Sequence, residues 1–277
     1  MDRLMPKSSP SNETTRSAIV TLAMGRAVEN LDYTFTSFAV NLGVELHAFI
    51  LGARLPERQL PGIHYHLLPP VPDYSDPLRE IYYRRMEVLD GLGVDYALTV
   101  DCFDVLCLQR LPSLASLLGD SHVAACVEHP GSRHLMGQGC TTNFLNGGVF
   151  LWDVAKSRDI RGEILDRGKS HFRTVADDQY CINEVIQTKH YDRLRILPCQ
   201  YNYRAFLKSR RRGWPTVEHL DGVMIYHNAA GIDEAKKLMP VKSKADLPPL
   251  QNDAGPLTPR ERFWRKVKLR FQPHVVK

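Results

Sequence analysis

Two carboxylates, Asp101 and Asp104, follow directly on an apolar segment in the stretch YALTVDCFDVL (residues 96–106). A buried strand that ends in two acids is a poor element for a hydrophobic core, because an ionised carboxylate is costly to bury. Hard divalent cations take several oxygen ligands, and two carboxylates on one short loop supply both charge and geometry. The spacing therefore indicates a metal site, with the alternative that one Asp caps the next helix.

A pair of glycines lies inside a second apolar segment, FLNGGVFLW (residues 144–152). Adjacent glycines weaken a strand and often mark a place where a ligand approaches the backbone closely. Asn146, just before them, has an amide that can bind hydroxyl groups. The alternative for Gly147 and Gly148 is a β-bulge without a ligand.

Two further polar groups have the chemistry of a site. Asp177, Asp178 and Gln179 stand where a helix is predicted to begin, so they either cap it and complement its dipole or face a substrate. His227 ends the apolar run VMIYH (residues 223–227). It is either an ordinary buried histidine or, as a neutral imidazole, a third ligand for Mn²⁺.

The elements that position these residues alternate between strands and helices. Apolar runs predict strands at residues 17–24, 44–51, 63–68, 96–100, 123–127, 144–152 and 222–227. Helices are predicted around residues 34–41, 76–92, 157–168 and 179–187, the second with Asp76 as N-cap and Pro77 at its first position. Such alternation predicts an α/β fold with a mixed, mostly parallel sheet. Ligands bind beyond the carboxyl ends of such strands, where Asp101 is expected to lie.

Five segments in order resemble the metal-dependent nucleotide-sugar glycosyltransferases of the GT-A fold: DCFDVL, FLNGGVF, DDQYCIN, LPCQYNY and IYHN. DCFDVL is similar to the D-x-x-D-V form of collagen hydroxylysine glycosyltransferases. DDQYCIN and LPCQYNY are similar to the glycogenin-like family with its bacterial lipooligosaccharide galactosyltransferases. The resemblance spans roughly residues 17–232. It implies a single GT-A (Rossmann-like) domain with helices on both sides of the sheet.

The resemblance also implies roles for individual residues. Asp101, Asp104 and His227 would hold Mn²⁺ or Mg²⁺, although the D-x-x-D spacing is one residue longer than the more usual D-x-D. Thr21, Leu22 and Ala23 are expected to lie under the uridine. Arg84 or Arg85 is expected to reach the phosphate or the donor sugar. The donor sugar would contact Asn146, Gly147, Gly148 and Asp177, with Asp178 and Gln179 as the catalytic residues beside the anomeric carbon.

The composition is that of a globular protein, with 277 residues, 43% hydrophobic and 24% charged residues, and a net charge of +5. Six scattered cysteines without a C-x-x-C pair predict reduced thiols, as in a cytoplasmic protein. The domain boundaries predicted are a flexible leader (1–16), the catalytic domain (17–240), a Pro-rich linker (241–258) and a tail (259–277). The tail is basic and amphipathic, so it is expected to dock on the domain or to bind an anionic membrane surface at the inner face.

Together the motifs predict a hexosyltransferase that moves a sugar from a UDP-sugar donor to a glycan, lipid-linked or protein acceptor. The glycogenin-like resemblance implies that the anomeric configuration is retained. Two alternatives remain open: a metal-dependent nucleotidyltransferase, which also places carboxylates at strand ends, and a non-catalytic nucleotide-sugar binding protein. Nucleic-acid binding is not expected, because no motif for it accompanies the basic tail.

Overall fold

Ten strands are found in the computed structural model, which describes residues 15–24, 31–70, 83–102, 105–127, 144–171, 177–204 and 222–227. They are β1 (Ser17–Ala23), β2 (Glu45–Leu51), β3 (Ile63–Leu68), β4 (Tyr96–Val100), β5 (Val105–Cys107), β6 (Val123–Val127), β7 (Leu145–Asp153), β8 (Leu194–Leu197), β9 (Tyr203–Arg204) and β10 (Ile225–His227). Seven of these form one sheet in the order β3-β2-β1-β4-β7-β6-β8.

This large sheet is mixed and mostly parallel, as the sequence predicts. β3, β2, β1 and β4 run parallel to one another, β6 runs parallel to β8, and β7 is antiparallel to both of its neighbours, β4 and β6. Parallel strands need crossover connections, which place helices on the faces of the sheet. The carboxyl end of β4 therefore opens at the edge where α/β proteins bind ligands.

The helices of the described residues are α1 (Leu31–Asn41), α2 (83–87, continued by a 3₁₀ turn at Val88–Gly91), α3 (Leu114–Leu118), α4 (Arg158–His171) and α5 (Asp177–Lys189). Ser113 begins α3, its hydroxyl accepting a hydrogen bond from the Ser116 amide, and Gly119 ends it with a positive φ of 62°. Short 3₁₀ turns lie at Tyr191–Arg193 and Cys199–Tyr201.

Two hydrophobic layers cover the two faces of the sheet. β1 contributes to both, with Val20 and Leu22 packed in the layer of α2, α4 and α5, and Ile19 and Ala23 in the layer of α1 and α3. A strand covered on both faces reads as a continuous apolar run, and SAIVTLA does so. The layered architecture explains why β1 was visible in the sequence.

A second, three-stranded sheet joins β5, β10 and β9, with β10 antiparallel to β5 and parallel to β9. The sequence did not predict β5 or β9, because strands of three and two residues carry no periodic pattern. In this sheet His227 is paired with Val105, the residue that follows the second aspartate of DCFD. The small sheet thus places His227 near the carboxyl end of β4.

Several predicted boundaries need correction. The strand of the glycine pair is not interrupted: β7 runs unbroken from Leu145 to Asp153 and is buried throughout. Its pairing with β6 does shift register between Ala125 and Val127, opposite the glycines, so the bulge lies in the β6–β7 ladder.

The predicted strand at 222–227 is limited to Ile225–His227, and α4 and α5 extend beyond their predicted ends. The leader, linker and tail lie outside the described residues.

The five described cysteines form no disulfide, which agrees with reduced thiols, and four of them are buried. Burial raises the pKa of Cys107 to about 12, so its thiol stays protonated at neutral pH. The Cys107 thiol is therefore not a nucleophile at neutral pH.

Candidate active site

The carboxyl end of β4 is held in place by its two neighbouring strands. Thr21 of β1 donates a hydrogen bond from Oγ1 to the Val100 carbonyl at 2.7 Å. The backbone N–H of Asp101 donates to the Gly148 carbonyl of β7 at 3.0 Å. These two bonds fix the backbone from which the Asp101 side chain projects.

Arg85 of α2 bridges two carboxylates that come from different elements. Its Nη1 lies 3.1 Å from Asp101 Oδ1, and its Nη2 lies 2.8 Å from Asp178 Oδ2 at the start of α5. The guanidinium fork suits such paired recognition, and the side chains of Arg85 and Asp178 are only 8% and 6% exposed. Arg84 points elsewhere, donating to the Pro69 carbonyl at 2.6 Å. Of the two predicted arginines, the site contains Arg85.

A chain of hydrogen bonds leads from the glycine strand to His227. The Gly148 N–H can only donate, so Asn146 must offer it Oδ1, at 2.9 Å. The same Oδ1 accepts from Asn202 Nδ2 at 2.7 Å, which leaves the Asn202 oxygen facing His227 Nδ1 at 2.8 Å. An amide oxygen only accepts, so Nδ1 carries the ring proton.

This tautomer turns the lone pair of His227 Nε2 toward Asp101. The distance from Nε2 to Asp101 Oδ2 is 3.7 Å, which is too long for a direct hydrogen bond. The imidazole is 3% exposed, and its other nitrogen is bonded to an amide, as is usual for histidines that ligate metals. Asp101 and His227 thus present one oxygen and one nitrogen toward the same point.

Gly147 and Gly148 are required because side chains of the site pass directly over them. A Cβ at Gly148 would clash with the His227 ring and would lie 2.8 Å from Asp101 Oδ2. A Cβ at Gly147 would lie 3.2 Å from both Arg85 Nη2 and Gln179 Oε1. The close approach predicted for this strand is therefore real, but it is made by the protein's own side chains.

Gln179 and Asn183 connect α5 to the glycine strand. The Gly147 N–H donates to Gln179 Oε1 at 3.0 Å. One turn further on, Asn183 accepts from the Leu145 N–H at 2.6 Å and donates to the Leu145 carbonyl at 2.9 Å. Because β7 is thereby bonded to α5, Asp178 is held at a fixed distance from Asp101.

The charges of the site favour a cation. Arg85 contributes one positive charge, and Asp101 and Asp178 contribute two negative ones, which leaves a net charge of −1 beside the Nε2 lone pair of His227. Carboxylate oxygens are suitable ligands for both Mn²⁺ and Mg²⁺. An imidazole nitrogen is a suitable ligand for Mn²⁺. The donor set of the described residues therefore fits a divalent cation.

Seven of the fourteen predicted site residues converge at this edge of the sheet. One set of contacts joins Asp101, Arg85, Gly147, Gly148, Asp178, Gln179 and His227. Leu22 and Ala23 are buried core residues at the carboxyl end of β1. Asn146, predicted to bind sugar hydroxyls, accepts hydrogen bonds at its Oδ1 from the Gly148 N–H and from Asn202. Asp104 and the side chain of Asp177 lie outside the described residues.

Sequence reasoning missed Asn202 and Asn183 as parts of the site. Both are less than 6% exposed although they are polar, and their bonds reach across 56 and 38 residues of sequence. The only signal was their presence in QYNY and CIN, which contributed to the family resemblance as segments. Buried amides of this kind are recognised only once their partners are known.

Comparison with solved structures identifies the fold. The galactosyltransferase LgtC in complex with donor and acceptor sugar analogues has a TM-score of 0.55 and 17% identity, over 84% of this chain and 97% of that one. A mutant of LgtC in which an active-site glutamine is replaced by glutamate has a TM-score of 0.54 and 18% identity, over 80% of this chain and 94% of that one. The bifunctional glycosyltransferase WbbM, without ligand, has a TM-score of 0.56 and 12% identity, over 81% and 47%.

These similarities show that the chain has the GT-A fold, which confirms the fold expected from the family resemblance. No protein-family model and no curated protein sequence matches the chain. Among the residues that the structure describes, no helix has the length and apolar character needed to cross a membrane.

Proposed function

We propose that this protein is a metal-dependent glycosyltransferase that moves a hexose from a UDP-sugar to a glycan, lipid-linked or protein acceptor, with retention of the anomeric configuration. The observation that carries the proposal is the meeting of Asp101, Asp178, Arg85 and His227 over the glycines of β7, at the carboxyl end of β4. Solved glycosyltransferases of the same fold support it. Retention rests on the glycogenin-like resemblance.

In this proposal Asp101, Asp104 and His227 hold Mn²⁺ or Mg²⁺. A divalent cation bound there supplies Lewis-acid neutralisation of the charge that grows on the departing diphosphate. The protein's own contribution is preorganisation: Asn202 holds His227 in the tautomer that presents Nε2, and Arg85 holds Asp101 Oδ1. Groups fixed in this way need no rearrangement when charge develops.

The donor sugar is assigned to the side of the site where Asp178 and Gln179 begin α5. An oxocarbenium-like centre is stabilised by nearby carboxylate and amide groups, as in glycoside hydrolysis. Arg85 keeps Asp178 oriented, and the Gly147 N–H does the same for Gln179. The LgtC mutant supports this role, because the active-site residue altered in that protein is also a glutamine. Asn146 and Asp177 are assigned to the sugar side, and Thr21, Leu22 and Ala23 to the nucleotide.

The test is a screen of UDP-sugars for manganese-dependent release of UDP by the full chain. One UDP-sugar should give turnover that is lost on chelation, and the Asp178→Asn variant should lose it while binding UDP and Mn²⁺ as the wild type does in calorimetry. Asp159→Asn is the matched control, since it makes the same change on an exposed surface. Proton NMR of the product reports its anomeric configuration.

Three other outcomes would contradict the proposal. Transfer of a nucleotidyl group in place of the sugar would identify a nucleotidyltransferase. Nucleotide-sugar binding without turnover would identify a binding protein. Loss of UDP affinity in Asp178→Asn would move Asp178 from the sugar side to the metal or nucleotide side.

The tail at residues 259–277 is proposed to attach the enzyme to an anionic membrane surface at the cytoplasmic face. In a helix Phe263, Val267 and Phe271 would share one side, and six basic residues lie among them between positions 260 and 270. Each contributes on the order of 1 kcal/mol near such a surface. Co-sedimentation with anionic and neutral liposomes, using the full chain and a chain ending at Thr258, tests this. Binding that persists without the tail would refute it.

A further inference from the structure

A second group of metal-ligating side chains lies far from the β4 terminus, at the amino ends of β2 and β3. Glu45 and His47 are two residues apart on β2 and share one face of the sheet. His64 of β3 is the register partner of His47, so its side chain projects from the same face. The proposed active site lies at the opposite, carboxyl end of the sheet. The two groups share no residue.

The three side chains converge. One ligand atom from each of Glu45, His47 and His64 lies within 4.8 Å of the others. His47 Nε2 is 3.2 Å from Glu45 Oε2, and the rings of His47 and His64 are stacked with their centres 4.9 Å apart. His47 is buried, whereas His64 is exposed and its ring has room to adjust.

Neighbouring residues orient two of the three ligands. The Arg16 guanidinium donates to Glu45 Oε1 at 3.0 Å and, more weakly, to Oε2 at 3.3 Å, which holds the carboxylate beside His47. His66 Nε2 lies 2.9 Å from His47 Nδ1, and the His66 ring stacks on Phe49 at 4.4 Å. A histidine that ligates a metal is normally held through its other nitrogen in this way. In the tautomer that donates its Nδ1 proton to His66, His47 presents its Nε2 lone pair toward Glu45, and a cation between the two would bind both.

We propose that Glu45, His47 and His64 form a binding site for a divalent transition-metal ion of the zinc type. Two imidazoles and one carboxylate are a ligand set that Zn²⁺ accepts, with a fourth position left to solvent beside the exposed His64. Two imidazole nitrogens bind Zn²⁺ more tightly than Mn²⁺, because affinity rises from Mn²⁺ to the later metals. The proposal does not depend on the glycosyltransferase assignment.

The bound ion would link β2 to β3, which is an edge strand among the described strands of the large sheet. An edge strand has one unpaired row of backbone groups and is held from one side only. A metal bridge between His47 and His64 adds a second link between the strands and stabilises only the folded state. The role inferred is structural, since the site lies away from the edge where the substrate is proposed to bind.

The competing arrangement is a proton between His47 Nε2 and Glu45 Oε2, with no metal. Zinc content decides between them, measured by equilibrium dialysis of the chelator-stripped full chain against ZnCl₂ followed by elemental analysis. Any zinc at the proposed active site is common to wild type and variants, so the difference between them isolates this site. His64→Ala is the principal variant because an exposed side chain can be removed without disturbing the core.

His64→Ala is expected to bind one equivalent of zinc less than the wild type and to lose the rise in Tm that zinc produces. His66→Ala, which removes the support of His47, should weaken this zinc site by roughly 10- to 100-fold. His122→Gln, at the other side of the sheet, is the control and should bind zinc as the wild type does. Equal zinc content in wild type and His64→Ala would overturn the proposal, as would the same loss in His122→Gln.

Discussion

Two buried arginines, Arg85 and Arg161, have similar burial and different partners. Arg161 of α4 is 1% exposed and donates to two backbone carbonyls, of Met86 at 2.8 Å and of Val154 at 2.6 Å. Its remaining bonds go to Ser157 Oγ and to the half-exposed Asp90. Arg85 is 8% exposed and holds the carboxylates of Asp101 and Asp178.

The difference separates a structural arginine from one that belongs to a site. Arg161 satisfies carbonyls at the ends of α2 and β7 that water cannot reach, and its charge is balanced by one partly solvated acid. Arg85 instead forms ion pairs with Asp101 and Asp178, whose combined charge exceeds its own, at the edge of the sheet where ligands bind. Burial of a charge does not identify function; its partners do.

The largest effect expected is on the activity of Arg85→Lys. A lysine keeps the charge but cannot bridge Asp101 and Asp178 with a planar fork. The rate of sugar transfer should fall about 100-fold, equivalent to roughly 2.7 kcal/mol of activation free energy. Steady-state kinetics with the preferred UDP-sugar measures it. A rate within a factor of two of wild type would remove Arg85 from the site.

Arg161→Lys should show the opposite pattern. Lysine cannot reach all four acceptors, and a buried carbonyl left without a donor costs on the order of 2 kcal/mol. The free energy of unfolding in urea should fall by about that amount, while transfer activity at low temperature should stay near the wild-type value. If activity falls with stability unchanged, the contrast between the two arginines is wrong.

A smaller effect is expected for Asn202→Ala, which removes the acceptor for the Nδ1 proton of His227. Loss of such a supporting bond typically weakens metal affinity by roughly 10- to 100-fold. Mn²⁺ titration followed by electron paramagnetic resonance measures the affinity without requiring turnover. Asn202→Asp should restore only part of it, because a carboxylate accepts from Nδ1 but places a second oxygen against Asn146 Oδ1. If both variants bind Mn²⁺ as the wild type does, the bond to Asn202 is only structural.

The smallest effect concerns the exposed ion pair of Asp159 and Arg193, whose atoms approach to 2.6 Å. The hydrogen bond from Arg193 lowers the pKa of Asp159 to about 2. A carboxylate with a depressed pKa stabilises the fold above its unfolded pKa near 3.8, and this contribution is lost as the pH falls toward 2. Because the pair is exposed, its contribution is below about 1 kcal/mol.

Asp159→Asn should therefore be slightly less stable than wild type above pH 4, and the difference should vanish as the pH approaches 2. Urea unfolding at several pH values measures it. A difference that grows toward acid pH would contradict the sign of the shift. Activity should be unaffected, which is why this variant also serves as the control for Asp178→Asn.

The sequence alone determined most of the large sheet. The bounds of β3, β4 and β6 agree with prediction because each is a short apolar run between polar or turn residues. It also placed Asp101 directly after a strand, at the edge of the sheet where α/β proteins bind ligands. Residue chemistry indicated Asp178, Gln179 and the glycine pair as candidates, and the family resemblance implied their roles.

Tertiary structure alone decided which partners these residues have. Arg84 and Arg85 are adjacent in sequence, yet they point to different places, because α2 presents only Arg85 to the glycine strand. The tautomer of His227 depends on Asn146 and Asn202, which the two sheets bring together from distant parts of the chain. The pairing of His47 with His64 required the parallel register of β2 and β3. Apolar periodicity specifies local elements, whereas contacts between side chains are fixed by packing, which no short spacing in the sequence encodes.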